Sequence, residues 1–263
     1  MRVIIVENAA QVANAAAEHI AQVVRSCAAA DRAAVLGVAT GSSPIGTYNA
    51  LAEIARAEQL DLSEVRAFAL DEYVGLDREH PESYHAVIHR TVTEPLGLNP
   101  AHVHVPDGLA ADLYEACQSY ETAITNAGGV DLQLLGIGAN GHIGFNEPTS
   151  SLASRTRPKT LAPQTRVDNA RFFDSLDQVP VHCVTQGIGT ILDARKALLV
   201  AQGESKAEAV AAMIEGPLSS MCPASALQLH PDATVIIDRE AAAMLTLRDY
   251  YEHIELHQPH GSK

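Results

Sequence analysis

Short apolar runs rich in β-branched residues alternate with longer helical stretches along this chain, and this alternation limits its fold more than any other feature. The predicted strands are 2–6, 34–39, 65–70, 131–137, 197–201 and 234–237. The predicted helices are 9–30, 44–58, 110–127, 206–215 and 239–253. Strands that alternate with helices need right-handed crossovers, which favour a mainly parallel sheet. We therefore expect an open, Rossmann-like, doubly wound α/β sheet with helices on both faces.

The domain organisation follows from what interrupts this alternation. No repeat, low-complexity tract or Gly/Ser linker divides the chain, so we expect a single α/β domain over residues 1–263. Residues 146–180 lack a clear strand and contain several Thr, Ser, Pro and Arg residues. A segment of this length in a compact domain is usually a functional lid or a partly helical excursion, and we predict an active-site lid around residues 149–180.

The charge balance excludes several classes of partner. Acidic residues outnumber basic ones by 32 to 18, a net charge of −14, so the surface repels nucleic-acid phosphates and anionic lipid headgroups. No apolar run is long enough to span a bilayer. Four cysteines without a CxxC pair, and a start without the pattern of a secretory leader, favour the cytoplasm. We expect neither nucleic-acid nor membrane binding.

Polar residues follow the second predicted strand in the order Thr40, Gly41 and Ser42. With Ser43 as the cap of the following helix, free backbone N–H groups and two hydroxyls would form a cradle for a phosphate or carboxylate. The segment is not a P-loop, because Thr47 stands where the lysine would be. A capped turn without a ligand is the alternative.

Two carboxylates, Asp71 and Glu72, follow the third predicted strand. Neighbouring residues in an extended chain point to opposite faces, so only one of the two can reach a given cleft while the other supports it. A carboxylate in a partly dry cleft has a raised pKa and can act as a general base. Two solvated acids at the start of a loop are the alternative.

A glycine-rich segment after the fourth predicted strand contains His142 and Glu147. Gly136, Gly138 and Gly141 match the dinucleotide pattern GxGxxG, but a later glycine and proline prevent the continuous helix which that pattern must open. The glycines instead let a loop bring His142 and Glu147 to a ligand as a proton-transferring pair. A packed histidine is the alternative.

Basic residues cluster in the predicted lid, where a stretch of seventeen residues contains Arg155, Arg157, Lys159, Arg166 and Arg171. In an acidic chain this clustering predicts contact with a small anion, with a solvated face as the alternative.

A zinc site is not expected. The chain contains two closely spaced histidine pairs, His85 with His89 and His102 with His104, but both lack the further ligands that a zinc site needs, so we expect no metal.

Four segments together resemble the glucosamine-6-phosphate deaminase family, also called glucosamine-6-phosphate isomerases: LGVATGSSPIGTYNAL, FALDEYVGL followed by HPESYH, LLGIGANGHIGFNEP, and SSLASRTRPKTLAPQTRVDNARFF. The resemblance extends from the first strand to near the C-terminus. It implies conversion of glucosamine 6-phosphate and water into fructose 6-phosphate and ammonia, by aldose–ketose isomerisation coupled to deamination, in amino-sugar catabolism. It also implies that no metal or organic cofactor takes part.

The resemblance assigns roles to individual residues. Asp71 would take the proton from C2 of the opened sugar and return it at C1. His142 would assist opening of the pyranose ring, oriented by Glu147 and Asn140. Some members have aspartate where this chain has Asn140, and an amide carries no negative charge beside the imidazole. The matched phosphate-binding positions are Thr40, Gly41, Ser42, Arg171 and Lys206.

The resemblance also implies a possible regulatory site. Ser150, Arg157 and Lys159 match positions that bind an N-acetylglucosamine 6-phosphate activator between subunits in allosteric members. The tyrosine that joins them there has no clear counterpart, since Asp249 falls near its position and two tyrosines follow. The family includes monomers and hexamers, so a homo-oligomer is expected if the chain is allosteric.

Two other functions compete with this interpretation. A 6-phosphogluconolactonase has a similar fold and glycine–histidine loop, but it needs no base at C2, so Asp71 would be idle. A sugar-phosphate sensor domain of a transcriptional regulator would normally follow a helix-turn-helix segment, whereas the first strand here begins at Arg2.

Overall fold

The computed structural model describes residues 1–258, and alternating strands and helices run through them. The strands are β1 (Arg2–Val6), β2 (Val35–Val38), β3 (Arg66–Ala69), β4 (Asp71–Tyr73), β5 (Val103–His104), β6 (Leu132–Leu135), β7 (Arg157–Thr160), β8 (His182–Thr185), β9 (Ala197–Ala201) and β10 (Ala233–Asp238). The α-helices are α1 (Ala9–Ala29), α2 (Ser42–Glu58), α3 (Tyr84–Ile88), α4 (Glu94–Leu96), α5 (Leu113–Asn126), α6 (Pro163–Asn169), α7 (Ile188–Leu192), α8 (Ala207–Ile214) and α9 (Arg248–Leu256).

Seven of the strands form one parallel sheet in the order β1-β10-β9-β6-β2-β3-β5. Its side chains alternate between two cores: Leu134 and Leu198 pack with α1 and α2 on one face, and Leu135 and Leu199 pack with α8 on the other. Both faces are covered, which is why the strands are almost wholly apolar. The predicted open α/β sheet is confirmed.

Alanine allows the helices to approach closely. Ala13, Ala16, Ala17 and Ala21 of α1 are buried, and a methyl group added at Gly46 of α2 would lie 3.2 Å from Ala13 Cβ. Close packing of α1 and α2 keeps the first turn of α2 fixed above the sheet. The tight helix pair therefore positions the loop between β2 and α2.

A second, antiparallel sheet of order β4-β8-β7 was not expected from the sequence. The chain leaves the parallel sheet at Leu70, whose N–H donates to Val38 and whose carbonyl accepts from Gln186. The expectation that residues 146–180 lack a strand is wrong, because β7 lies within them. Its sequence, RPKT, is polar and half-buried and contains a proline, so it lacks the apolar alternation that predicts a strand.

Two predicted helix starts are also wrong. Helix α2 begins at Ser42 with Gly41 as its N-cap, so Ser43 is not the cap. The last helix begins at Arg248 instead of residue 239, because the preceding segment forms turns in which Ala241 and Ala242 fill the core below the sheet. Between residues 1 and 258, no helix is long and apolar enough to cross a membrane.

Candidate active site

The residues singled out by their sequence motifs follow four neighbouring strands of the parallel sheet. In sheet order these are β9, followed by Lys206; β6, followed by the histidine loop (residues 138–147); β2, followed by the anion turn (residues 40–42); and β3, followed by Asp71. The carboxyl ends of parallel strands lie at one edge, where ligands bind in folds of this kind. The topology therefore collects these residues at one edge.

The anion turn is shaped by Gly41, whose φ of 106° lies in a region that other residues rarely adopt. No side chain caps the start of α2, so the first N–H groups of this helix are available to an anion. The buried hydroxyl of Tyr48 bonds both the N–H and the carbonyl of Ala39 at 2.9 Å. Tyr48 thereby fixes the end of β2 against the helix that follows it.

Asp71 is the first residue of β4 and its side chain is only 5% exposed. Burial, and secondarily the charge of Glu72, raise the pKa of this carboxyl well above its usual value. Within the described chain no donor satisfies the carboxylate of Asp71, whereas Glu72 accepts hydrogen bonds from the N–H groups of Tyr73, Tyr84 and His85 at 2.7 to 2.9 Å. Asp71 is thus poised to accept a proton, while Glu72 on the opposite face caps α3.

Tyr84, the first residue of α3, lies between the anion turn and Asp71. Its ring packs on Tyr73 at 4.9 Å and stacks on Phe145 at 5.7 Å. Its hydroxyl interacts with that of Thr40, and burial, followed by the charges of Tyr73 and Asp71, raises its pKa well above the usual value. The rings of Tyr84, Tyr73 and Phe145 pack together and form an aromatic wall beside Asp71.

The histidine loop is held together by side-chain hydrogen bonds. His142 Nδ1 lies 2.7 Å from Asn140 Oδ1 and 3.5 Å from Glu147 Oε2, and Asn140 Nδ2 donates to Glu147 Oε2 at 2.8 Å. Because both neighbours of Nδ1 are acceptors, we assign the imidazole proton to Nδ1. Nε2 is then the atom that can take a proton from a ligand.

Glu147 is buried, and burial alone would raise its pKa. Hydrogen bonds from His142, Thr165 and Asn140 outweigh burial and lower the pKa to about 2. The carboxylate therefore stays ionised and can stabilise a positive charge that develops on His142. Asn140 carries no charge, but it connects the imidazole to the carboxylate.

Close contacts bring the histidine loop to the other parts of the site. A methyl group added at Gly144 would lie 3.4 Å from Asp71 Oδ2, and one at Gly136, just before the loop, would lie 3.9 Å from Pro44 in the first turn of α2. The loop therefore lies between the buried carboxylate and the anion turn.

Gly138 provides a test of the imidazole position. A Cβ at Gly138 would lie 2.2 to 2.5 Å from atoms of the His142 ring, so Gly138→Ala must displace the ring. We expect kcat to fall by about 10²-fold with little change in KM, since a displacement near 1 Å has that cost. Gly136→Ala is the matched control, because its Cβ would meet only Pro44 Cδ at 3.9 Å. Equal kcat values for the two variants would contradict the assigned role of His142.

Two cations without carboxylate partners lie near each other. Arg171 is in a short 3₁₀ turn after α6, and Lys206 ends a similar turn before α8. Burial and, to a smaller extent, the positive charge of Arg171 lower the pKa of Lys206. The negative charge of Asp168 acts in the opposite direction and raises it. Neither forms a salt bridge in residues 1–258. Two adjacent, unpaired cations at the edge of the sheet fit a divalent anion.

Several of the other basic residues of the cluster already have partners within the chain, and contact of the cluster with a small anion stays a prediction. Arg155 pairs with Glu121 and Asp193, and Arg166 donates to backbone carbonyls of the lid segment. Arg157 donates to Asn146 at 2.8 Å. The proximity of these arginines in the sequence did not show that they contact different elements, because their partners lie elsewhere in the chain.

Two of the three candidate regulatory residues, Arg157 and Lys159, lie on the second sheet. Arg157 and Lys159 are half-buried on β7, and Ser150 is buried with an Oγ that has no hydrogen-bond partner. Of the two tyrosines near Asp249, Tyr250 is exposed and Tyr251 packs against the core below the sheet.

Comparison with known proteins decides the family. The model for "Glucosamine-6-phosphate isomerases/6-phosphogluconolactonase" matches residues 7–236. This chain belongs to that family. Glucosamine-6-phosphate deaminases of Cutibacterium acnes and Streptomyces coelicolor are 57% and 56% identical to it, over 95% and 98% of both chains.

Two kinds of solved structure are similar to this chain. A monomeric glucosamine-6-phosphate deaminase is 43% identical, with a TM-score of 0.89 over 93% of this chain and 100% of that chain. The 6-phosphogluconolactonase of Trypanosoma cruzi is 20% identical, with a TM-score of 0.74 over 93% of this chain and 97% of that one. At that identity the likeness shows the fold alone.

The sequence motifs did not reveal the residues that hold the site together. Thr165, Asn169 and Thr185 carry ordinary polar side chains, and only their contacts mark them: with Glu147, with Tyr73, and with the N–H of Phe145. In the described part of the chain, no three His, Cys, Asp or Glu side chains converge as a metal site would require.

Proposed function

We propose that this chain is a glucosamine-6-phosphate deaminase, which converts glucosamine 6-phosphate and water into fructose 6-phosphate and ammonia. One observation carries the proposal: the carboxylate of Asp71 is buried, has no hydrogen-bond donor within residues 1–258, and lies beside a loop that presents an imidazole. Hydrolysis of a lactone removes no proton from C2, so a lactonase would have no use for a base at this position. Relatives above 50% identity are named glucosamine-6-phosphate deaminases, which supports the same activity.

Ring opening is the first step. His142 Nε2 takes the proton of the O1 hydroxyl and delivers it to O5, so the C1–O5 bond breaks and the aldehyde forms. Glu147 stabilises the imidazolium that exists between these transfers, and Asn140 keeps the ring in the Nδ1-protonated tautomer.

Isomerisation and deamination follow. Asp71 takes the C2 proton and the C2–H electron pair forms the C1–C2 double bond, while the π pair of the C1 carbonyl moves to O1, which takes a proton from the C2 ammonium group of the substrate; the product is an enolamine. The same carboxyl then returns its proton to C1, and the lone pair of the nitrogen forms the C2–N double bond. The resulting C2 imine adds water and expels ammonia, leaving the ketone of fructose 6-phosphate. A raised pKa makes Asp71 a stronger base than an ordinary carboxylate.

The phosphate determines how the sugar lies. In our proposal, the N–H groups and hydroxyls of Thr40, Gly41 and Ser42, with Arg171 and Lys206, bind this group. Fixing the phosphate at one end holds C2 against Asp71, so that proton transfer becomes effectively intramolecular.

A coupled assay tests the function. The protein is incubated with glucosamine 6-phosphate, and ammonia and fructose 6-phosphate are measured separately; we expect equal amounts. 6-Phosphogluconolactone serves as the competing substrate. Lactone hydrolysis without release of ammonia would identify a lactonase, and sugar-phosphate binding without turnover would identify a sensor domain.

Regulation, assembly and location are further parts of the proposal. The unpartnered Ser150 Oγ and the half-buried Arg157 and Lys159 support an N-acetylglucosamine 6-phosphate site between subunits of a homo-oligomer, a hexamer in allosteric members. The same assay with and without that sugar, on protein of measured mass, tests both the activation and the assembly.

The location is also part of the proposal. All four cysteines are free, which is in keeping with the cytoplasm we infer.

We also expect residues 149–180 to act as an active-site lid. Binding of a sugar phosphate should slow amide hydrogen exchange in this segment, because α6 and the turn with Arg171 would close over the ligand. Exchange mass spectrometry with and without glucosamine 6-phosphate on the Asp71→Asn variant, which should bind without turnover, measures this. Unchanged exchange across the segment would contradict the lid.

A further inference from the structure

Helix α6 of the predicted lid contacts more than one part of the site. Thr165 donates a hydrogen bond to Glu147 Oε1, and Asn169 donates to the Tyr73 hydroxyl at 2.9 Å. The next turn carries Arg171, beside Lys206. One short helix thus reaches the histidine loop, the aromatic wall beside Asp71 and the unpaired cations.

The contact with Glu147 is the most enclosed of these. Thr165 is 4% exposed and Glu147 is 6% exposed. Glu147 uses its two oxygens differently: Oε2 faces Asn140 and His142, while Oε1 accepts from Thr165. In residues 1–258 no other donor reaches Oε1. The hydroxyl of Thr165 therefore fixes the rotation of the carboxylate that faces the imidazole.

We propose that Thr165 is a positioning residue for ring opening, which acts through Glu147 on His142 and couples this pair to the lid helix. This inference rests on the proposed deaminase function. Without the hydroxyl, Oε1 is a buried oxygen with no partner, and the carboxylate turns toward another donor or toward water. Oε2 then leaves its place beside His142 Nδ1, while Asp71 and the phosphate site are unaffected.

Two substitutions separate the hydroxyl from the shape of the side chain. Thr165→Val keeps the branched shape and removes the donor, whereas Thr165→Ser keeps the donor. Because groups that orient a catalytic side chain typically contribute 10- to 100-fold, we expect kcat of the valine variant to fall by about that factor. The serine variant should retain most of the activity. Gln164→Ala, an exposed position on the same helix, is the matched control.

A deuterium isotope effect identifies the step that slows. With substrate deuterated at C2, the isotope effect on kcat reports how far proton transfer to Asp71 limits the rate. If Thr165→Val slows ring opening, the effect should fall toward one, and Thr165→Ser should restore it. If the wild-type effect is already near one, the comparison is made in an Asp71→Glu background, where proton transfer is slow. A loss of folded protein would lower kcat without changing this ratio.

Binding provides a second readout. The open-chain amino-alditol phosphate has no ring to open, so its inhibition constant should be the same for wild type and Thr165→Val. A fall in kcat with an unchanged or larger isotope effect, or a kcat within twofold of wild type, would overturn the proposal. Failure of the deaminase function itself would be distinct, because the wild-type protein would then release no ammonia in the same assay.

Discussion

Replacing Asp71 with asparagine should lower kcat by at least about 10²-fold, because the amide cannot accept the C2 proton and general-base catalysis contributes about 10²- to 10⁴-fold. Binding should persist, since the phosphate contacts are untouched. Ammonia release gives kcat, and calorimetry with glucosamine 6-phosphate gives the affinity. Asp61→Asn, at an exposed carboxylate that accepts a hydrogen bond from the N–H of Ser63, is the control. A loss of less than tenfold would mean that another group takes the proton.

The same variant should not be less stable than the wild type. Burial and the charge of Glu72 raise the pKa of Asp71 in the folded protein, so ionisation of this group costs folding free energy as the pH rises through that pKa. Asparagine has no such cost. Thermal unfolding at neutral pH should therefore give an unchanged or higher Tm, which separates loss of catalysis from loss of fold.

The pH dependence of the wild type follows from the same shift. Asp71 must be ionised to accept a proton, so kcat/KM should fall as the pH drops through its raised pKa. The acid limb should lie well above the usual carboxyl value of 3.8. Glu147, with a pKa of about 2, remains ionised throughout that range.

Removing either of the unpaired cations should weaken binding more than it slows chemistry. Lys206→Ala or Arg171→Ala should raise KM by about 10- to 100-fold, because each deletes a charge-assisted hydrogen bond of about 1.5–3 kcal/mol to the phosphate. Steady-state kinetics at a fixed, moderate salt concentration measures the change. Wild-type KM in both variants would place the phosphate elsewhere.

Lys196→Ala is the matched control for charge. Lys196 precedes β9, at the opposite end of that strand from Lys206, and it pairs with Asp232. Its removal changes the net charge by the same amount. KM should therefore respond to Lys206 and not to Lys196, since exposed, paired surface charges contribute little.

The parallel sheet could be predicted from the sequence because its strands are buried on both faces. The runs that form β2, β3, β6, β9 and β10 are mostly apolar for that reason, whereas the edge strand β1 is largely half-buried and the two-residue edge strand β5 was not predicted. β7 and β4 could not be predicted, since RPKT carries no apolar alternation and DEY looks like the start of a loop. Both segments become strands by pairing with β8, which lies more than 20 residues after β7 in the chain.

The candidate site, like the fold, could be predicted from the sequence only in part. Asp71 stands out because a carboxylate closely follows a buried strand, and His142 and Glu147 stand out because they lie in the glycine-rich loop after another buried strand. The parallel topology brings the carboxyl ends of both strands to one edge of the sheet. Thr165 was missed, because one threonine among several in a polar segment carries no signal until Glu147 is seen against it. The basic cluster was less informative, because charge density along the chain does not show which arginines already have partners, as Arg155 and Arg157 do.

The small antiparallel sheet connects Asp71 directly to Arg157. Asp71 on β4 stands opposite Thr185 on β8, and Thr185 stands opposite Arg157 on β7. Two rungs of a ladder, about 10 Å at the usual strand spacing, thus separate the proton-accepting carboxylate from the arginine. Backbone hydrogen bonds join all three strands, so the sheet holds Asp71 and Arg157 at a fixed separation with no loop between them.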